Sequence, residues 1–478
     1  MTSYINQNGD THLILVIISN NEQEAINVVN NGNSHPEVVN SYGDTALLLS
    51  IHHSMTELAL KILETRNANV AHIDNYKNSA LILAIKKNLK SVAQRLVELY
   101  SDVNINHVDK YGDSALSISL RLGFYEVAQK LLENPNCNVG HVDHQQDTPL
   151  LISMEHIGIY SENVIEQEYI SKSTNIHEIN EYKNKVIQDK ILYEQKKIAY
   201  ENICLKIIQT QCGKTSHINK HGFTPLLLSL SRDSPTIALA ILNTNDSCPG
   251  HIGNTENSAL TLALGKAYYD VAKLIIDQTS ENISHINKND DTPLMLALMR
   301  NYQDIAQKIL NYGATNLSLI NKNGDITLFY AINTGNEDIS LQIFNSNESN
   351  FKHISKERDS SLIMAINNGM INLAKEIIKK ASPELIQHVN NENDNALLLC
   401  IQKQYWELAH ILIDTKHSNH NHINNYGDNA LLLALTMEHK EISSKLIKQP
   451  NVNLYYRGYS GSCAYDILLK NGWMDLIS

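Results

Sequence analysis

Apolar residues in this chain fall into two kinds of short block that alternate along its length. One is a nearly unbroken aliphatic run, such as Leu81-Ile82-Leu83-Ala84-Ile85. The other is looser, with apolar pairs one turn apart: Val92, Ala93, Leu96, Val97, or Ile305, Ala306, Ile309, Leu310. The second pattern has the helical period and predicts an amphipathic helix with one buried face. The first predicts a short, strongly apolar helix. A polar turn separates the two blocks.

The alternation is a repeat. Taking the first Leu of each dense block as an anchor, copies fall at Leu13, Leu47, Leu81, Leu116, Leu150, Leu226, Leu260, Leu294, Leu328, Leu362, Leu397 and Leu431, with Tyr465 in the same column of a thirteenth copy. The spacing is 34 or 35 residues except between Leu150 and Leu226. That gap of 76 leaves 42 residues beyond one repeat. Thr45, Ser79, Ser114, Thr148, Thr224, Thr292 and Asn429 stand where the first helix begins, and their side-chain oxygens suit the free N–H groups of a first turn. Ala or Pro follows, and Pro is tolerated there because its missing N–H has no helical partner. Gly43, Gly112, Gly222, Gly324 and Gly427 mark a tight turn. Two short helices cannot bury their apolar faces alone, whereas stacked copies share a continuous core. The expected fold is an all-α repeat solenoid of about 13 stacked helix-turn-helix units joined by short hairpin turns.

These columns resemble the ankyrin repeat, whose signature is D-x-x-G-x-T-P-L-H-x-A at a period near 33. Asn219-Lys220-His221-Gly222-Phe223-Thr224-Pro225-Leu226 matches it closely, and Gly461 to Ile467 resembles a terminal capping repeat. The His that the family places after the anchor is apolar here, as at Leu48, Leu227 and Leu432. On this register residues 1–157 hold repeats 1–5 (first part), 158–199 an insertion inside repeat 5, 200–454 the rest of repeats 5–12, and 455–478 a shortened capping repeat whose outer edge is expected to be imperfectly covered. Ile179, Val186, Ile187, Ile191, Ile198 and Ile203 recur near helical spacing. They predict a long helix from about Glu178 into the second helix of repeat 5, preceded by a flexible loop near Ser171 to Asn175. The insertion is polar, and the alternatives for it are a tolerated surface segment, a partner or self-association arm, or an element carrying a hidden catalytic site.

Composition narrows the function. The hydrophobic share is 42%, mean hydropathy is -0.27 and the formal net charge is -12, with no basic tract. Phosphate binding relies on clustered Lys and Arg, so nucleic acid is not expected as the main partner. No apolar run reaches the ~18 residues of a membrane span. With no cationic residue ahead of Leu13 to Ile18, a signal peptide is not expected either, which suggests a cytoplasmic protein, of the producing cell or of a host cell. The six cysteines form no CxxC pair and read as scattered thiols.

Candidate chemistry is sparse. Nine His stand nine residues before their anchors: His72, His107, His141, His217, His251, His285, His353, His388 and His422. Stacked helical repeats sit roughly 8–10 Å apart, whereas ligand nitrogens lie about 2.0–2.1 Å from a zinc ion, so neighbours in the column cannot share one. The column is expected to bond backbone groups, in place of the His missing after the anchor, with pH sensing as the alternative. His417, His420 and His422 form a denser group for which a weak metal site is the alternative. Gly213-Lys214-Thr215-Ser216 mimics the end of a phosphate-binding loop, but Ile208 stands where its first Gly belongs. No nucleophile or general-base set is present, so no cofactor, metal or catalytic residue is expected.

The resemblance implies recognition of another protein through the hairpin tips and the exposed edge of the first helices. In this sequence those positions carry Tyr42, Tyr76 and Tyr111, with His52, Lys86 and Arg121 on the helices behind them. Tyr and Arg dominate interface energetics. A second tip row, Lys220, Lys288, Lys322 and Lys356 beside Asp291, Asp325 and Asp359, reads as a solvated, salt-bridged edge. The expected function is a monomeric, non-enzymatic protein-interaction scaffold, with a host-directed effector role as one reading of it. A substrate-recruiting adaptor of a larger enzyme complex, or an enzyme with its site in residues 158–199, stands as the alternative.

Overall fold

The computed structural model describes residues 5–32, 34–99, 104–157, 176–254, 256–313, 316–346, 349–415 and 417–477, with side chains described from 185 onward, except 186, in the helix that starts at Ile176. The chain divides into two compact bodies, Met1–Thr255 and Glu256–Ser478. Each is a stack of antiparallel helix pairs, and no β-strand occurs among the described residues.

In the first body the pairs are His12–Ile18 with Glu22–Asn30, Ala46–His52 with Thr56–Glu64, Ala80–Lys86 with Lys90–Leu99, Ala115–Arg121 with Tyr125–Leu131, Pro149–Glu155 with Ile176–Gln209, and Pro225–Ser231 with Pro235–Leu242. The second body repeats the motif from Ala259–Gly265 to Lys440–Ile447. It closes on Ala464–Lys470 and a 3-10 turn at Met474–Leu476, where Leu469 is left 62% exposed. The short helix Pro383–Gln387 is an addition to this pattern.

Every inner helix has seven residues, too few to persist alone in water. Burial and capping hold it. Leu81, Ile82, Ala84 and Ile85 are fully buried, as are Leu58, Ala59, Ile62 and Leu63 on an outer helix. The predicted cap column accepts the N–H three residues on, for example Thr45 from Leu48 at 3.2 Å and Thr224 from Leu227 at 3.2 Å. Ile326 breaks the column. The hydroxyl there sits one position later, on Thr327, and its Oγ1 is buried without a hydrogen-bond partner.

The insertion is structured at its C-terminal end. One helix of 34 residues, Ile176–Gln209, carries both that end and the second helix of repeat 5. Its later part is anchored by the buried Tyr200, Ile203, Cys204 and Ile207, while Ile187, Ile191, Leu192 and Ile198 are exposed. The loop expected near Ser171 to Asn175 lies outside the described residues.

Candidate protein-interaction surface

Most hairpins are organised by an Asn or Asp whose side chain takes the N–H groups two or four residues on, with Gly253, Ser355 and Gly458 at that position in three others. Asn40 accepts from Tyr42 at 3.1 Å and Asp44 at 2.9 Å; Asp74 accepts from Tyr76 and Asn78; Asp109 accepts from Tyr111 and Asp113. These Asx turns drive the residue at the tip into the left-handed region. It is glycine where the sequence predicted it, with φ of 81° at Gly43 and 87° at Gly112, but Lys77, Gln146, Glu256 and Arg358 adopt the same conformation.

That left-handed residue turns its carbonyl toward the next repeat, where the His column meets it. His72 Nε2 donates to the Gly43 carbonyl at 2.8 Å, His107 to Lys77 at 2.9 Å, His141 to Gly112 at 2.7 Å, His217 to Gln146 at 2.8 Å and His251 to Gly222 at 3.0 Å. In the second body His285 donates to Glu256, His353 to Gly324, His388 to Arg358 and His422 to Asn393. Tyr456, which occupies the column in the last repeat, gives its hydroxyl to Gly427 at 3.1 Å. The acceptor is a carbonyl in every case, so the ring must carry hydrogen on Nε2. Both the neutral Nε2–H tautomer and the imidazolium satisfy this. In the denser group, His420 faces the Pro450 carbonyl and His422 that of Asn393, so the two rings address different backbone groups.

The turn acids also face one another across repeats. In four places an Asn in the next turn donates its amide to the earlier acid: Asn40 to Asp10, Asn219 to Asp147, Asn321 to Asp291 and Asn424 to Asp394, all at 2.8–2.9 Å and buried. Asp74, Asp109 and Asp143 take that place in repeats 3 to 5, and the helices behind Asp109 and Asp143 each carry a cation. Lys86 Nζ lies 2.6 Å from Asp109, and Arg121 lies 2.5 Å from Asp143 and 2.9 Å from Asp147. Burial pushes the Asp109 carboxyl up, but Lys86 and the turn N–H groups outweigh it and hold it below the usual range. Beside Asp74 the matching residue is the exposed His52. There burial, then Asp74, raises the Asp44 pKa, with His52 and His72 opposing.

The six sequence candidates therefore divide. Tyr42, Tyr76 and Tyr111 are 62%, 70% and 60% exposed, and each is fixed at its backbone by an Asx turn. Tyr426 repeats the arrangement in the second body at 61%. Lys86 and Arg121 are engaged by buried carboxylates and couple repeats. The lysine tip row differs from its expectation: Lys356 Nζ donates to the Lys322 carbonyl at 2.9 Å and Lys322 to that of Lys288, so these ammoniums cap backbone oxygens of the preceding tip.

Other chemistry resolves into structural contacts. Asp113, Asp143 and His144 have metal-ligand atoms close together, a grouping the sequence reading missed, but the Arg121 guanidinium already sits on Asp143 and His144 Nδ1 on Asp113 at 2.7 Å. A cation would have to displace that guanidinium. In the phosphate-loop mimic, Thr215 gives its hydroxyl to the Asp246 carboxylate, an arrangement that repels an anion. Burial pushes the Cys137 thiol up to about 11 and those of Cys204 and Cys400 higher, away from nucleophilic thiolate.

The fold defines a helical repeat protein of paired helices and projecting hairpins. A family model described as ankyrin repeats (three copies) matches residues 57–143, and one described as an ankyrin repeat matches residues 289–322. These two segments of the chain are ankyrin repeats, and such repeats generally mediate protein–protein interaction. No curated relative matches the sequence. Among solved structures, a predatory endopeptidase of Bdellovibrio bacteriovorus in complex with an immunity protein aligns at 23% identity and TM-score 0.32, over 41% of this chain and 99% of that one. An ankyrin repeat protein aligns at 14% identity and TM-score 0.33, over 49% and 97%. An ankyrin repeat domain from Acinetobacter baumannii aligns at 18% identity and TM-score 0.32, over 49% and 98%.

Proposed function

We propose that the chain is a non-enzymatic scaffold that captures another protein through the hairpin tips of repeats 2 to 4. The observation that carries this reading is the row Tyr42, Tyr76 and Tyr111, three large rings left mostly in solvent on turns whose backbones are fixed by Asx hydrogen bonds. A ring that packed on the neighbouring finger would be covered. Rigid, amphipathic side chains held at fixed spacing lose little conformational entropy on binding, the property that makes Tyr effective at interfaces. Lys86, Arg121 and the His column supply the rigidity, because each joins the finger of one repeat to the body of another.

Affinity purification from the producing cell tests this. The triple variant Tyr42→Ala, Tyr76→Ala, Tyr111→Ala is expected to lose the captured protein while keeping its helical circular dichroism. A variant at Glu64 and Lys130 on the outer helices should retain it. Retention of every associated protein by the tyrosine variant would overturn the assignment.

A further inference from the structure

We infer that the tip face of repeats 2 to 4 recognises an extended acidic segment, rich in Asp and Glu, of its partner protein. The inference rests on the protein-binding reading and adds the chemistry of what is bound. The argument is one of sign. Over the turns and first helices of these repeats (40–55, 74–89 and 109–124) the only carboxylates are Asp44, Asp74, Asp109 and Asp113. Asp74, Asp109 and Asp113 are buried, and turn N–H groups or neighbouring side chains take their oxygens; Asp44 is half-buried, and burial and Asp74 raise its pKa and disfavour its charged form.

The charges that remain in solvent on this face are cationic. Lys77 stands beside Tyr76, Lys110 beside Tyr111 with its ammonium 4.9 Å from that ring's centre, and Lys87 ends the helix between them. All three are exposed and, among the described residues, pair with no carboxylate. A chain of net charge -12 thus presents one aromatic surface with the opposite sign. The run ends at repeat 5, where Glu155 takes the place of Arg121 on the first helix. Tip faces of the second body mix signs, with Glu357 and Glu392 exposed beside Lys356 and Lys403.

Spacing fixes the form of the ligand. Successive tips stand roughly 10 Å apart, the interaxial distance of packed helices. Three tips then span about 20 Å, which roughly six residues of extended chain cover at ~3.3 Å each. Complementary charge would steer the segment onto the face, and the tyrosines would hold its aliphatic stems and backbone.

Fluorescence anisotropy with a labelled twelve-residue peptide of alternating Asp and Glu tests the inference on the full chain. A Ser-Gly peptide and an oligothymidylate of equal length serve as comparisons. The expected result is saturable binding of the acidic peptide, absent for Ser-Gly and weaker for the oligothymidylate, and lost progressively as salt shortens the Debye length below about 10 Å. Lys77→Glu, Lys87→Glu, Lys110→Glu should weaken it at least tenfold. The same reversal at Lys61, Arg95 and Lys130 on the outer helices should leave it unchanged, with circular dichroism showing both variants folded. No binding, equal loss in both variants, or tighter binding of the oligothymidylate would overturn the inference. If a cellular partner is still lost on mutating the tyrosines, only the acidic chemistry fails and the protein-binding reading stands.

Discussion

The His column offers the sharpest test of how the repeats are held together. Replacing His72, His107 and His141 with Phe keeps an aromatic ring and removes the donor to Gly43, Lys77 and Gly112. An intramolecular hydrogen bond contributes about 0.5–1.5 kcal/mol net. These rings are half-buried, so water can partly replace the lost donor, and the lower half of that range applies. Three losses should then cost about 1.5–3 kcal/mol in the first body. Stability in repeat arrays is nearly a sum of repeat and nearest-neighbour terms, so the lost bonds should also reduce cooperativity. Urea unfolding followed by circular dichroism measures both. The matched Tyr variants should recover part of the loss, because Tyr456 makes the same bond to Gly427. A triple Phe variant with an unchanged midpoint and slope would refute the coupling.

Further predictions follow from single contacts. Thr327→Val removes a buried hydroxyl without a partner and should stabilise the second body by about 1 kcal/mol in thermal unfolding. Arg121→Met strands the buried Asp143 and Asp147 carboxylates. It should cost about 2–3 kcal/mol, below the range for a fully buried pair because the guanidinium is 21% exposed. Asp44→Asn restores the amide–carboxylate pairing seen at Asn40 with Asp10 and should stabilise the protein at pH 7 by about 0.5–1 kcal/mol. Its sign with pH is set by the raised folded pKa of Asp44. The wild-type carboxyl favours folding when protonated, below the unfolded value of about 3.9, and loses that advantage as pH rises through the folded value. The gain from Asn should therefore shrink in urea titrations at about pH 4. Asp109, with its lowered pKa, should behave oppositely, its contribution being present above the usual carboxylate range and lost on acidification.

Much of this architecture was legible because repetition turns weak local signals into columns. Thr45, Ser79 and Thr224 recur in one register, and the same register placed the short apolar helices and the turn glycines. Relations between repeats were harder to read. Lys86 and Arg121 looked like exposed binding residues because nothing within their own helix reveals that Asp109 and Asp143 of the next turn lie against them. The His column announced itself by spacing, yet its acceptor depends on a backbone conformation that Lys77, Gln146 and Arg358 share with glycine. Side-chain identity does not display that conformation. The exposure of Tyr42, Tyr76 and Tyr111 likewise depends on the curvature of the turn, which the Asx bonds set.

Site-specific photo-crosslinking in the producing cell tests the central claim most directly. A photoreactive phenylalanine analogue at position 42, 76 or 111 should each crosslink to the same second protein, and one at position 64 or 130 on the outer helices should not. Crosslinks arising only from the outer helices, or none from the three tips while the outer positions react, would contradict it.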